Sequence, residues 1–206
     1  LCHRQHRRRA VHAASALKAM ATPRRPGCSR RGALAALVLA PTFAPAQTVP
    51  GEIQAELPGA RLQGSGRLRF LGLRVYEIRL WAAARVSRVD AWVSAPLALE
   101  IQYARALVGK LIAERSLEEM RRQGPIDDDK ASRWLAAMTS TFPDVKEGDR
   151  LTGVHRPGEA ARFHFNGASV GELRDAEFAR LFFGIWLSPR TSEPALRDAL
   201  LGTAPP

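Results

Sequence analysis

The acidic residues of this chain are confined to one part of it, which indicates where the folded domain begins. All 20 acidic residues lie after position 46, whereas 9 of the 31 lysines and arginines and both cysteines precede it. After Gln47 there are 22 basic and 20 acidic residues, a balance of +2. The net charge of +11 therefore describes a leader, and it does not support nucleic-acid binding.

Residues 20–46 have the order of a cleavable export signal. A basic stretch is followed by an apolar run, Gly32 to Ala40, and then by Ala44-Pro45-Ala46. The pair Arg30-Arg31 also fits a twin-arginine signal, so the Sec and twin-arginine routes both stay open. The apolar run is shorter than the roughly 20 residues of a membrane-spanning helix. We expect a bacterial periplasmic protein with no stable membrane insertion after cleavage, and residues 1–19 to be translated upstream sequence.

Residues 47–206 are expected to form a single domain without bound metal or cofactor. Cys2 and Cys28 both precede the cut, so this domain has no thiol for a disulfide or for nucleophilic catalysis. Only His155 and His164 remain of the histidines, and no carboxylates accompany them at ligand spacing. We interpret both as surface or rim histidines.

Alternation of apolar and polar residues predicts a largely antiparallel sheet. The expected strands are Arg67–Leu71 and Arg74–Ala83, joined at Gly72, then Leu97–Ala104, Arg150–Arg156 and Ala160–Phe165. Gly64-Ser65-Gly66 precedes a strand and lacks the lysine of a phosphate loop, so it indicates a bulge instead. Asn166-Gly167 predicts a further hairpin turn. Residues 47–58 are expected to be a poorly tethered start.

Helical spacing predicts four helices. They are expected at about Gly109–Gln123, from Asp127 to Phe142, over Asp175–Leu187, and from Ser192 to just before Gly202. The run Asp127-Asp128-Asp129 is interpreted as a helix cap and not as a cation site. The third helix is apolar on nearly every side, which implies burial. Together these elements predict an α+β fold with helices packed mainly on one face of the sheet.

A charged pair on the first of these helices is the best candidate for a binding site. One sector at 100° per residue contains Val108, Leu111, Ile112, Arg115 and Glu119. Arg115 and Glu119 could form a rim pair worth about 0.5 kcal/mol. Alternatively, Arg115 points into a pocket and binds a ligand carboxylate while Glu119 holds its guanidinium. Tyr76 and Tyr103 lie on apolar strand faces and could add hydroxyl groups to that cavity.

Several blocks of sequence occur in an order more specific than any short motif. The blocks are Gly64–Tyr76, Leu99–Gly109, Ile112–Met120, and Phe165–Gly167 through Phe178–Leu187. In these blocks the chain resembles the chalcone isomerase-like family, in its bacterial exported branch. The resemblance implies a curved, open-faced sheet with helices on one side and a cleft between the two layers. Plant members cyclise chalcones to flavanones there, whereas other relatives bind fatty acids or act as non-catalytic partners.

The plant catalytic pattern is not matched. Leu71 stands where the plant enzymes have a threonine, and Ile112 and Glu119 stand where their helix supplies a tyrosine and an asparagine. Arg61 is two residues away from the position of their first-strand arginine, where this chain has Gly59. Nothing then positions a phenolate for ring closure, so we expect no catalytic residues of this kind.

The resulting hypothesis is a cofactor-free periplasmic binding protein for a fatty acid or similar amphipathic acid in an apolar cleft. The expected ligand-binding residues are Arg115, Glu119, Arg105, Tyr76, Tyr103 and Ile112. One alternative is an isomerase or lyase with Glu119 as base and Arg115 as electrophile. Another is a structural or partner protein with a filled cleft. The sequence leaves the oligomeric state open.

Protein recovered from the periplasm of an expressing bacterium is expected to begin at Gln47, because signal removal after Ala46 leaves that residue first. N-terminal sequencing and intact mass measure this. Purified mature protein that still carries residues 20–46 would contradict the interpretation.

Overall fold

The computed structural model describes residues 48–86 and 90–203. The predicted export signal, the segment before it and both cysteines lie outside the described residues. Within the described part of the chain, no helix combines the length and the apolar character needed to cross a membrane.

Among the described residues six antiparallel strands form one sheet, in which every strand pairs with the next along the chain. The strands are β1 (Arg61–Phe70), β2 (Leu73–Ala82), β3 (Leu97–Tyr103), β4 (Arg150–Arg156), β5 (Ala160–Phe165) and β6 (Ala168–Leu173). The predicted strands of the second half of the chain have the observed bounds. The predicted mostly antiparallel sheet is confirmed.

In the described ranges five α-helices accompany the sheet, with a short 3₁₀ turn at Ala91–Ser94. They are α1 (Gly51–Glu56), α2 (Gly109–Arg121), α3 (Asp128–Thr141), α4 (Ala176–Leu187) and α5 (Pro194–Leu201). The side chains of Asp127 and Asp175 accept hydrogen bonds from Lys130 N and Phe178 N, so both act as N-caps. The predicted α+β class and the capping role of Asp127 are confirmed.

Two hairpins turn on a pair of consecutive residues with positive φ. Asn166 and Gly167 have φ of 50° and 89° between β5 and β6, and Leu71 and Gly72 have φ of 49° and 80° between β1 and β2. Such a pair of left-handed residues matches the twist of the flanking strands, and glycine and asparagine adopt it with little strain. Both predicted hairpins are confirmed.

The strand β1 begins earlier than predicted because its glycines belong to the strand. The register shifts between Leu62 and Gly64, which confirms a bulge. A Cβ atom on Gly64 would lie 2.3 Å from the carbonyl oxygens of Ala199 and Leu200. The glycine therefore lets α5 pack directly on the strand backbone.

The expectation of a poorly tethered start over residues 47–58 is wrong. Helix α1 packs on the sheet face opposite the other helices, and Ile53 is fully buried against Trp81, Ala98 and Val154. The Glu52 carboxylate accepts hydrogen bonds from Arg150 at 2.9 Å and from Thr152 at 3.1 Å. Pro50 and Pro58 flank the helix and Gly51 begins it. None of these residues, which indicated a loop, interrupts the helix.

The expectation of surface or rim histidines is also wrong. His155 and His164 are 1% and 8% exposed and face opposite sides of the sheet. The ring centroid of His155 lies 4.8 Å from that of Phe183, and its Nδ1 lies 3.2 Å from the Ala95 carbonyl oxygen. Burial lowers the pKa of His155 below its ordinary value, so this ring stays neutral.

Replacement Ile53→Ala is expected to lower the free energy of unfolding by about 2–4 kcal/mol, because it empties the contact between α1 and the sheet. Urea denaturation of the full chain measures the change. The neighbouring replacement Gln54→Ala, at an exposed position, is the control and should change stability by less than about 0.5 kcal/mol. Equal, small effects of both replacements would contradict the packing of α1.

Candidate functional site

Helix α2 buries a different face from the predicted sector. Its buried residues are Gly109, Ala113, Ser116, Leu117, Glu119 and Met120. Val108 and Leu111 are 49% and 58% exposed, and Ile112 is half-buried at the edge of the core. Glycine, alanine and serine face inward because the helix approaches its neighbours closely. The 100° projection identified the apolar residues without showing which of them face the core.

The sequence left two roles open for Arg115, a pair at the core's rim and a residue that points into a pocket. The Arg115 side chain is 65% exposed and lies 3.0 Å from Glu118 Oε2 and 2.5 Å from Glu119 Oε1. Glu119 is buried and also lies 3.5 Å from Arg122 Nε. The arrangement fits the alternative of a rim pair. A role of Arg115, Glu119, Arg105 or Ile112 in ligand binding stays a prediction.

The structure instead has an open depression of about 220 Å³ where β1, β2 and β3 meet. Its lining includes Arg67, Arg74, Tyr76, Glu77, Tyr103 and Glu147. Tyr76 pairs with Tyr103 across the two strands, and the Gly148 N–H donates to the Tyr103 carbonyl at 2.9 Å. The second contact brings the segment before β4, with Glu147, to the wall of the depression.

The only two tyrosines of the chain meet in this depression. Their rings make an edge-to-face contact with centroids 6.3 Å apart. Trp186 Nε1–H of α4 donates to the Tyr76 hydroxyl at 2.9 Å, which leaves the Tyr76 proton for another acceptor. Burial raises the pKa of Tyr76 to about 12 and raises the pKa of Tyr103 as well. Both phenols therefore stay protonated near neutral pH.

The depression carries both signs of charge, with Arg67 and Arg74 opposed by Glu77 and Glu147. Glu77 lies 3.4 Å from Arg67 and 2.6 Å from Arg79, so two guanidinium groups share this carboxylate. Within residues 48–86 and 90–203, Arg74 has no carboxylate oxygen within 4.0 Å, and Glu147 likewise pairs with no cation. Arg74 is therefore the guanidinium in the depression that is best placed to bind an anion.

The expected apolar cleft between the sheet and the helices is almost filled. The space that remains there is about 10 Å³, roughly the minimum for one water molecule. It is lined by Leu99, Ile101, Leu151, Phe163, Phe182 and Trp186, with Gly153. The Phe182 ring centroid lies 5.1 Å from that of Phe163 and 5.6 Å from that of Trp186. Aromatic side chains therefore occupy the volume in which the acyl chain of a ligand was expected.

One hydrogen bond joins the two spaces. Trp186 lines the apolar space and donates to Tyr76, which lines the depression. Along β3, Ile101 and Tyr103 face the same side two residues apart. The Tyr76 hydroxyl therefore lies on the helix-covered side of the sheet, where the charges that act on it are those of Glu193, Glu119 and Arg115.

Comparison with known proteins identifies the family of this fold. A family model described as chalcone isomerase-like matches residues 46–202. The chain belongs to the chalcone isomerase-like family. The branch of the family stays a prediction.

Two relatives show how far the likeness extends. An uncharacterized protein of Haemophilus influenzae is 34% identical over 107 residues, and the chain spans about half (52%) of the length of this curated relative. The crystal structure of an Arabidopsis thaliana fatty-acid binding protein superposes with a TM-score of 0.55 at 15% identity. That match covers 70% of this chain and 87% of the plant protein, and it shows the chalcone isomerase-like fold.

Sequence reasoning placed Tyr76 and Tyr103 together but missed the charged lining of the depression. Arg67 and Arg74 lie on strands that the sequence identified, within one of the blocks that resemble the family. Their alternation with apolar residues was a usable signal for side chains at a sheet edge. Glu147 gave no such signal, since only the contact of Gly148 with β3 brings it there.

Alkaline pH is expected to destabilise the fold through Tyr76. Its pKa is 10.0 ordinarily and about 12 in the fold, so the stabilisation is complete below about pH 10 and is lost as pH rises towards about 12. Between neutral pH and about pH 11 the free energy of unfolding should fall by about 1 kcal/mol less in Tyr76→Phe than in the wild type. Denaturation at both pH values measures this. Tyrosinate absorbance that appears in the folded protein near pH 10 would contradict it.

Proposed function

We propose that this protein is a non-catalytic binding protein for a fatty acid or a similar amphipathic acid. The acid group would lie in the depression beside Arg74. The acyl chain would extend past Tyr76 and Trp186 towards the apolar interior. This proposal keeps the ligand class expected from the sequence and moves the anion site from Arg115 to Arg74.

The observation that carries the proposal is the guanidinium of Arg74, which lines the depression and pairs with no carboxylate among the described residues. A carboxylate accepts hydrogen bonds and has none to give, so a guanidinium is complementary to it. Charge-assisted hydrogen bonds of this kind contribute about 1.5–3 kcal/mol each. Glu77 is shared by Arg67 and Arg79, which weakens its repulsion of a bound anion.

An acyl chain needs more room than the structure offers in this conformation. The apolar space of about 10 Å³ lies behind the Tyr76–Trp186 hydrogen bond. Rotation of Trp186 would break that bond and join this space to the depression. In this proposal the structure is the closed form of the protein, and ligand binding must supply the free energy of rotating Trp186.

The raised pKa of Tyr76 argues against one catalytic role, that of a general base. A tyrosine with a pKa of about 12 is a poor general base near neutral pH, since proton transfer is efficient for groups that titrate close to the working pH. The similarity of fold to a plant fatty-acid binding protein supports the same ligand class.

A second candidate function is that of a structural or partner protein that holds no ligand. The aromatic packing of Phe163, Phe182 and Trp186 through the expected cleft favours it. Extraction of the protein from its native host, followed by mass spectrometry, separates the two. A stoichiometric acyl compound supports ligand binding. Empty protein that also fails to bind acyl chains in solution supports the partner role.

Arg74→Gln is expected to weaken binding of palmitate by about tenfold or more, because it removes the cation that meets the carboxylate. Isothermal titration calorimetry measures this. Binding of hexadecanol, which carries no charge, should change little. Glu147→Gln should strengthen palmitate binding, since it removes a like charge from the wall.

Arg133→Gln is the matched control, since Arg133 is an exposed arginine on α3 away from the depression. Arg115→Gln tests directly the anion site expected from the sequence. Loss of palmitate affinity in Arg115→Gln with no loss in Arg74→Gln would contradict the position of the anion site.

A further inference from the structure

The tip of the β1–β2 hairpin exposes three large apolar side chains. Phe70, Leu71 and Leu73 are 66%, 87% and 59% exposed. The tip contains two strand ends and a two-residue turn, so these side chains project from a convex end of the sheet. Exposed apolar side chains are common singly, whereas three within four residues need an explanation.

Leu71 also occupies a backbone conformation that disfavours leucine. Its φ is 49°, a region that glycine and asparagine adopt readily and that costs a branched apolar residue about 1 kcal/mol. The β5–β6 hairpin has the same turn with Asn166 at the equivalent position, at φ of 50°. Asn166 tolerates this conformation, and its side chain also accepts a hydrogen bond from Arg150 N–H at 2.8 Å. At the β1–β2 tip the equivalent residue is Leu71, whose side chain is almost entirely exposed.

Two arginines flank this apolar tip without acidic partners. Arg69 and Arg74 lie directly opposite each other on β1 and β2. Within the described ranges neither has a carboxylate oxygen within 4.0 Å. Like charges on directly paired positions destabilise a hairpin. Backbone strain at Leu71 and repulsion between Arg69 and Arg74 thus occur in the same hairpin. An anionic partner would relieve the repulsion.

We propose that this hairpin tip docks on the surface of an anionic lipid bilayer. Phe70, Leu71 and Leu73 enter the boundary between headgroups and acyl chains, and Arg69 and Arg74 contact lipid phosphates. A small convex apolar tip with flanking guanidinium groups is complementary to an interface whose outer layer is anionic and whose inner layer is apolar. A convex tip does not enclose a peptide helix, which binds in a groove.

The docking geometry places the depression close to the lipid. Arg74 belongs to both the tip and the lining of the depression. The proposal goes beyond acid binding and does not require it, because it follows from the exposure, the strain and the charges of the hairpin alone. A protein that docks but binds no acid leaves it intact.

A fluorescent label at the tip tests the docking. The full chain carries Cys2→Ser and Cys28→Ser, and Leu71→Cys is labelled with a polarity-sensitive nitrobenzoxadiazole group. Vesicles of phosphatidylglycerol and phosphatidylcholine are expected to increase the emission about twofold or more with a blue shift, because the label leaves water. Vesicles of phosphatidylcholine alone should give a smaller response.

Val170→Cys, labelled in the same way, is the control. Val170 is an exposed apolar residue on β6 at the other edge of the sheet, and its label should stay in water. This comparison is specific to the site, so vesicle binding by any other segment of the chain does not imitate it. A tip label that stays in water while the protein sediments with the vesicles overturns the proposal. So does a tip label that responds to a periplasmic protein fraction and not to vesicles.

Substitutions separate docking from folding. Arg69→Gln with Arg74→Gln should weaken docking by about 25-fold, at about fivefold for each charge near the membrane. Arg133→Gln with Arg180→Gln, a pair of exposed arginines on α3 and α4, should leave it unchanged.

Leu71→Asn, followed through a label on Leu73→Cys, should weaken docking while it raises the melting temperature, because asparagine tolerates the turn. A variant that binds vesicles more weakly but melts at a higher temperature cannot be explained by misfolding. Unchanged vesicle affinity in Leu71→Asn and in the Arg69–Arg74 pair would refute the role of the tip.

Discussion

The packing of α4 against the sheet is the contact on which the rest of this structure depends. Phe178 and Phe183 are fully buried, and the Phe182 ring meets Phe163 of β5 edge to face. Gly153 on β4 permits this approach, since a Cβ there would already lie 3.3 Å from the Phe183 ring. Burial of one such aromatic side chain contributes about 1.5–3 kcal/mol, so this cluster orients the helix and closes the expected cleft.

The same packing sets the chemistry of the candidate site. Because α4 is held firmly, Trp186 at its C-terminal end meets the Tyr76 hydroxyl. The phenol then has its acceptor role filled and its proton free. The function proposed here depends on how readily Trp186 moves, because the apolar space beside it is too small for an acyl chain.

Much of the fold could be predicted because its signals are local. Turn residues with positive φ, the Asp127 cap and the alternation in β4 and β5 each depend on residues close in sequence. The site was less predictable. On a helical projection Arg115 falls in one sector with apolar residues. Helix α2 instead buries the face that carries Ala113, Leu117 and Met120, which leaves Val108 and Leu111 exposed.

The sequence by itself determined the family, the largely antiparallel sheet, the Asp127 cap and the position of Tyr76 and Tyr103 on apolar strand faces. These follow from periodicity, from turn chemistry and from blocks of residues in a fixed order. Only the tertiary structure decided that α1 covers the second face of the sheet, that the cleft is filled and that Arg74 opens on the depression. Each of these depends on which distant surfaces meet, and packing energies between distant segments have no signature in local sequence.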